Sequence, residues 1–102
     1  MEFDEFSWFV GLFDGEGCYY RDGSHGIIEM AMTDEDTIAK ASKFLGCSYK
    51  SIKVKGNRKP QWRLRVRGGL KRGKTYELLN KMMPHLSQRR QEIIKRVWSK
   101  TE

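Results

Sequence analysis

Cysteine, histidine and proline are each present only twice in these 102 residues. Cys18 and Cys47 form no Cys-x-x-Cys and have no paired histidine, which argues against a zinc site or a disulfide framework. Free thiols of this kind suit a reducing, intracellular setting. No apolar run approaches the roughly 20 residues a membrane span needs, so a membrane is not an expected partner. Pro/Ser-rich linkers, low-complexity tracts and repeats of solenoid length are all missing, and the length fits a single domain, 1–102. The chain opens on Glu2, Asp4 and Glu5, the wrong charge for a secretory leader. The expectation is an intracellular protein that is not secreted. The most informative absence is local: from Lys50 to Lys74 there is no acid at all.

That stretch carries Lys50, Lys53, Lys55, Arg58, Lys59, Arg63, Arg65, Arg67, Lys71, Arg72 and Lys74, more than half of the chain's 20 Lys and Arg. From Met1 to Asp36 the balance is reversed, with ten acids against Arg21 alone. A solvated face normally mixes signs, so a one-sign block predicts a polyanionic partner, nucleic acid before a lipid headgroup surface. The bland alternative is a solubilising surface with no partner.

The apolar spacing predicts the elements. Phe6, Phe9, Leu12 and Phe13 set a helix over Asp4 to Asp14, with an acidic first turn, ended by Gly15 and Gly17. A short strand, Cys18 to Arg21, meets the turn Asp22 to Gly26, and Ile28, Met30 and Met32 then alternate as a second strand. Thr33 or Asp34 can cap a helix that Gly46 stops. Strands over Tyr49 to Lys55 and Gln61 to Arg67 flank the turn Gly56 to Lys59. Helices over Lys74 to Met83 and Ser87 to Lys100 complete the order αββαββαα, an α+β domain with helices on one face of an antiparallel sheet.

Alternation gives the basic block a direction. If Trp62, Leu64 and Val66 face the core, Gln61, Arg63, Arg65 and Arg67 share the opposite face, and Lys53 and Lys55 of the partner strand are expected beside them. Adjacent cations repel across strands, so something negative must sit there. A two-stranded ribbon fits the DNA major groove; Arg and Gln suit base edges, while the turn lysine, Lys59 beside Arg58, suits phosphates. An exposed charged sheet without a partner explains neither the missing acids nor the strict alternation.

FVGLFDGEG, Phe9 to Gly17, raises a separate question. Gly in a helix interior costs about 1 kcal/mol relative to Ala, yet Ser7, Gly11 and Gly15 line one stripe without bulk. Spacing alone leaves two readings open: tight packing inside the chain, or close approach of a second helix. His25 and His85 are read as ordinary turn and helix-end residues.

These nine residues resemble the signature of the LAGLIDADG homing endonucleases. Trp8, Cys18-Tyr19, Thr33-Asp34, Leu45-Gly46, Met83-Pro84-His85-Leu86 and Arg89-Arg90-Gln91 extend the resemblance over nearly the whole chain. It implies a sheet used as a DNA-binding saddle and a site-specific double-strand DNA endonuclease with a long, roughly palindromic target. One motif implies half of the machine, hence a homodimer. By position, Ser7, Gly11, Asp14 and Gly15 would form the dimer seam, Asp14 capping or crossing it. Glu16 would be the catalytic acid, holding a divalent metal, Mg²⁺ by choice of ligand, with the Gly15 carbonyl. Arg89, or Arg90 directly after it, stands where the family often has an active-site lysine. A non-cleaving binder on the same scaffold, an RNA-splicing maturase or a DNA-binding regulator, is the competing reading.

Overall fold

Asp4 starts the first helix by accepting hydrogen bonds at Oδ1 from the Phe6 and Ser7 amides (3.1 and 3.3 Å) and at Oδ2 from the Ser7 hydroxyl (2.6 Å). A cap of this kind contributes about 1 kcal/mol. The computed structural model describes residues 4–53, 56 and 59–99. Helix α1 spans Glu5–Glu16 and buries Phe9, Val10 and Phe13. It is longer than the glycines predict, because Gly15 lies inside it and Gly17 is the C-cap.

Strands β1 (Cys18–Asp22) and β2 (His25–Met32) form a hairpin whose two-residue turn has Gly23 at φ +62°. A glycine at the first turn position matches the right-handed twist of the strands. Helix α2 (Glu35–Leu45) is capped by Asp34 and stopped by Gly46 in the left-handed region. Strand β3 (Tyr49–Ile52) and β4 (Gln61–Gly69) follow, then α3 (Gly73–Met82), a 3₁₀ turn Met83–His85 containing Pro84, and α4 (Gln88–Ser99). The antiparallel sheet has the order β1-β2-β4-β3, so the α+β reading and the element order hold.

The core lies between one sheet face and the helices. Phe9, Phe13, Ile28, Met30, Ile38, Leu64, Leu79, Met82 and Ile94 are fully buried, each contributing roughly 1.5–3 kcal/mol by leaving water. Helix α4 packs on β1, where Trp98 donates its indole N–H to the Tyr19 hydroxyl at 3.1 Å. Gly26, paired with Arg21 on the neighbouring strand, leaves the room that the Tyr19 hydroxyl fills. The helices therefore hold one face rigidly, and the other is left open. Among the described residues no helix is long and apolar enough to cross a membrane.

Candidate active site and nucleic-acid interface

The end of α1 is fixed by Phe13. Its carbonyl accepts the Gly17 amide at 2.8 Å, and a Cβ at Gly17 would overlap the Phe13 ring and lie 2.7 Å from that carbonyl. Glycine at 17 is thus required by packing. Asp14 is tied to α4: its Oδ1 accepts the Ser87 amide at 3.0 Å and its carbonyl accepts Arg90 Nη2 at 3.0 Å. The Arg90 guanidinium also lies 5.6 Å from the centre of the Phe13 ring. A cation on a terminal carbonyl answers the negative end of the helix dipole. Arg90 is therefore a strut between α4 and α1, whereas the Arg89 side chain is exposed and makes no hydrogen bond or ion pair among the described residues.

Glu16, the last helical residue, is exposed, and its side chain likewise has no partner among the described residues. The two carbonyls before Gly15 are taken by Gly17 and Arg90, while the Gly15 carbonyl lies too near the helix end for an intrahelical partner. Gly15 and Glu16 thus offer hard oxygen donors, the kind Mg²⁺ prefers. One carboxylate and one carbonyl are too few to hold an ion alone, and no group of three metal-ligating side chains occurs among the described residues.

Gly11 and Gly15 bear on the two readings left by spacing. Among the described residues a Cβ at either position would meet nothing within 4 Å, so packing against them does not require glycine there. Both are exposed, as is Ser7. Beside them runs a groove of about 450 Å³ lined by Asp4, Phe6, Ser7, Val10, Gly11 and His85. His85 packs edge-on against Phe6 with ring centres 5.9 Å apart.

On the open sheet face, alternation places Gln61, Arg63, Arg65 and Arg67 together, opposite the buried Leu64. Strand β3 corrects the expected phase. Ser51 pairs with Trp62 on the core side, and Lys50 and Ile52 pair with Arg63 and Gln61 on the outer side. The strand ends at Ile52, so Lys53 lies past it and is not a strand neighbour of the arginines. The cation beside Arg63 is Lys50; sequence reasoning counted it in the basic block but gave it no face. Lys55 and Arg58 lie outside the described residues, and Lys59 is exposed. Ser48, Tyr49, Lys50, Arg63 and Arg65 line a cleft of about 240 Å³ on this face.

The outer face is not wholly cationic, which corrects the inference that neutralisation must come from outside. Strand β2 sets Glu29 opposite Arg65, and Glu29 Oε1 accepts both the Arg65 Nε–H and the Tyr20 hydroxyl at 2.8 Å. Burial acts to raise the Glu29 carboxyl, but the Tyr20 and Arg65 hydrogen bonds prevail and hold it below its ordinary value. Arg67 Nη1 lies 3.3 Å from Asp22 Oδ2, and its Nη2 lies 3.3 Å from His25 Nδ1. Ile27, between Tyr20 and Arg67, is buried. The alternation of Ile28 with Met30 already turned Glu29 outward; its partner depended on the pairing of β2 with β4.

Among solved structures the chain is similar to the homing endonuclease I-TnaI, at 20% identity and TM-score 0.55 over 95% of this chain and 70% of that one. It is also similar to the homing endonuclease I-CvuI, at 22% identity and TM-score 0.55 over 93% and 68%. The I-CvuI structure holds the I-CreI target in the presence of magnesium, with the DNA not cleaved. At these identities the likeness establishes a shared fold, that of homing endonucleases. No family model and no curated protein matches the sequence.

Proposed function

We propose that this chain is one half of a homodimeric, metal-dependent endonuclease that cuts double-stranded DNA at a long, roughly palindromic site. The observation that carries the reading is on α1: a stripe of small residues that no described residue covers leads directly to Glu16, whose side chain has no partner among the described residues. A twin helix on that stripe would bring two Glu16 side chains together near a two-fold axis, with the same patch used by both subunits. The fold shared with homing endonucleases and the cationic sheet face support it.

Glu16 and the Gly15 carbonyl from each subunit would hold the metal, with DNA phosphates and water completing its shell. A divalent ion there supplies charge stabilisation for the attacking water and the leaving 3′ oxygen. Arg89 would approach the phosphoryl group as a fixed positive charge. It cannot give up a proton, so it serves electrostatics and not proton transfer. Lys50, Lys53, Lys59 and Arg63 would grip phosphates, and Arg65, Arg67 and Gln61 would face the groove; Lys55 and Arg58 would add positive charge toward the DNA.

Purified protein incubated with Mg²⁺ and a library of duplexes, including the sequence flanking its own locus, should cut one site. Glu16→Gln should lower cleavage at least a hundredfold, as loss of several kcal/mol of charge stabilisation requires, while duplex binding persists. Undiminished cleavage by that variant, or none by the wild type, would sink the catalytic claim. Binding without cleavage would favour the maturase or regulator.

A further inference from the structure

Resting on that proposed DNA-binding reading, we infer that Glu29 and Arg65 together read one G·C base pair in each half-site, with Glu29 as the residue that sets the preference. The two side chains are 36 positions apart and meet because β2 pairs with β4 in a register that sets Glu29 opposite Arg65. Three features of the pair point outward to a base.

First, Arg65 is bound sideways. Its Nε donates to Glu29 Oε1 at 2.8 Å, so both Nη nitrogens are left to other partners, on a side chain 48% exposed. That end of a guanidinium is the one that matches guanine O6 and N7. Second, Glu29 uses a single oxygen for both of its donors. Oε1 accepts from Tyr20 and from Arg65, and Oε2 has no partner among the described residues. The pair therefore presents two donors and one acceptor. A G·C pair shows the complement in the major groove: acceptors N7 and O6, and the cytosine N4 amine as donor. Third, the geometry is held in advance. The Tyr20 hydroxyl at 2.8 Å fixes Glu29, and Glu29 fixes the arginine, so less side-chain freedom is lost on binding.

The neighbouring cations differ. Arg67 has both Nη nitrogens turned to Asp22 and His25, and Arg63 faces Ala31 and Lys50 without an acid opposite it on either strand. Arg63 and Lys50 thus suit phosphate, which needs charge and little direction. An acid amid such cations must weaken binding to DNA of arbitrary sequence. Its presence there is explained when it selects among sequences.

The test is selection of binding sites from randomised duplexes, with calcium in place of magnesium, followed by titrations of wild type, Arg65→Lys, Glu29→Ala and Glu29→Gln. Wild type should prefer G·C at one position of each half-site by about ten- to a hundredfold. Arg65→Lys should keep most of the affinity and lose that preference, since an ammonium cannot make the forked contact. Glu29→Ala should flatten the same position alone. It should also bind unrelated duplexes more tightly, with a salt dependence steeper by about one unit. Glu29→Gln, closest in shape, should fall between, which guards against a folding defect in the alanine variant. The inference is overturned if the Glu29 variants keep the wild-type preference, or lose affinity equally for all sequences. Selection reads binding and not cutting, so a chain that binds without cleaving still returns its base preference. A wild type that binds no duplex would overturn this inference and the proposed function together.

Discussion

Two exposed regions carry the carboxylates that matter, and they differ in what their own chain does for them. At the end of α1, the Glu16 side chain has no partner among the described residues, and a Cβ at Gly11 or Gly15 beside it would meet none of them within 4 Å. On the outer sheet face, Glu29 accepts two hydrogen bonds on one oxygen and balances an arginine across 36 residues of sequence. An acid without a partner among the described residues, next to an open helix stripe, is what the proposed dimer would complete. A satisfied acid among cations is a device for orientation. The first region awaits chemistry from outside, and the second has fixed its donors and acceptors in advance.

The glycines of FVGLFDGEG offer the largest effect with which to break that comparison. Gly17→Ala would drive a methyl group into the Phe13 ring and carbonyl, and overpacking of this kind costs about 1–3 kcal/mol. Gly11→Ala meets open space and should raise helix stability by up to about 1 kcal/mol. Thermal unfolding at a dilution where sedimentation returns a monomer separates the two. Equal destabilisation by both would mean that the α1 stripe is packed within the chain after all. At higher concentration Gly11→Leu should abolish the proposed dimer, and an undisturbed dimer would move the seam elsewhere.

On the sheet face the expected effect is smaller and electrostatic. Arg63→Ala should weaken binding to all duplexes alike and reduce the salt slope by about one unit, the mark of a lost phosphate contact. If it erased one base preference instead, the distinction drawn between Arg63 and the Glu29-held Arg65 would fail.

How much of this was legible depended on the range of the interaction that decides it. Element order follows from local signals, such as Asp34 and Gly46 around α2 and the alternation of Ile28, Met30 and Met32. The phase of β3 was not, because Ile52 looks like a core residue until Ser51 is seen opposite Trp62. In a strand of four residues the partner's register outweighs one apolar side chain. Gly15 read as a stop for the same local reason, while the true end is set by the packing of Gly17 against Phe13. Arg89 and Arg90 were indistinguishable in sequence. The Asp14 carbonyl separates them by taking Arg90. Glu29 with Arg65 was furthest from view, since neither residue carries a local hint of the other.

Acid should expose the smallest effect, and it bears on Glu29 alone of the two compared carboxylates. Burial opposes its ionisation, yet the Tyr20 and Arg65 hydrogen bonds leave its folded-state pKa below the ordinary value of 4.5. A depressed carboxyl contributes stability that is fully present above its unfolded pKa and is lost as pH falls through the lower, folded value. Asp4 and Asp34 act in the same direction: hydrogen bonds from Ser7 lower the first, and one from Thr37 leads in lowering the second. Melting temperature should therefore decline from about pH 5 to about pH 3, over the ordinary carboxylate range and just below it. Glu29→Gln cannot titrate at this position, so its melting curve should decline less steeply than the wild type's over that interval. An identical decline would show that the Glu29–Arg65 contact adds nothing to folding, leaving its value, if any, to the recognition of DNA.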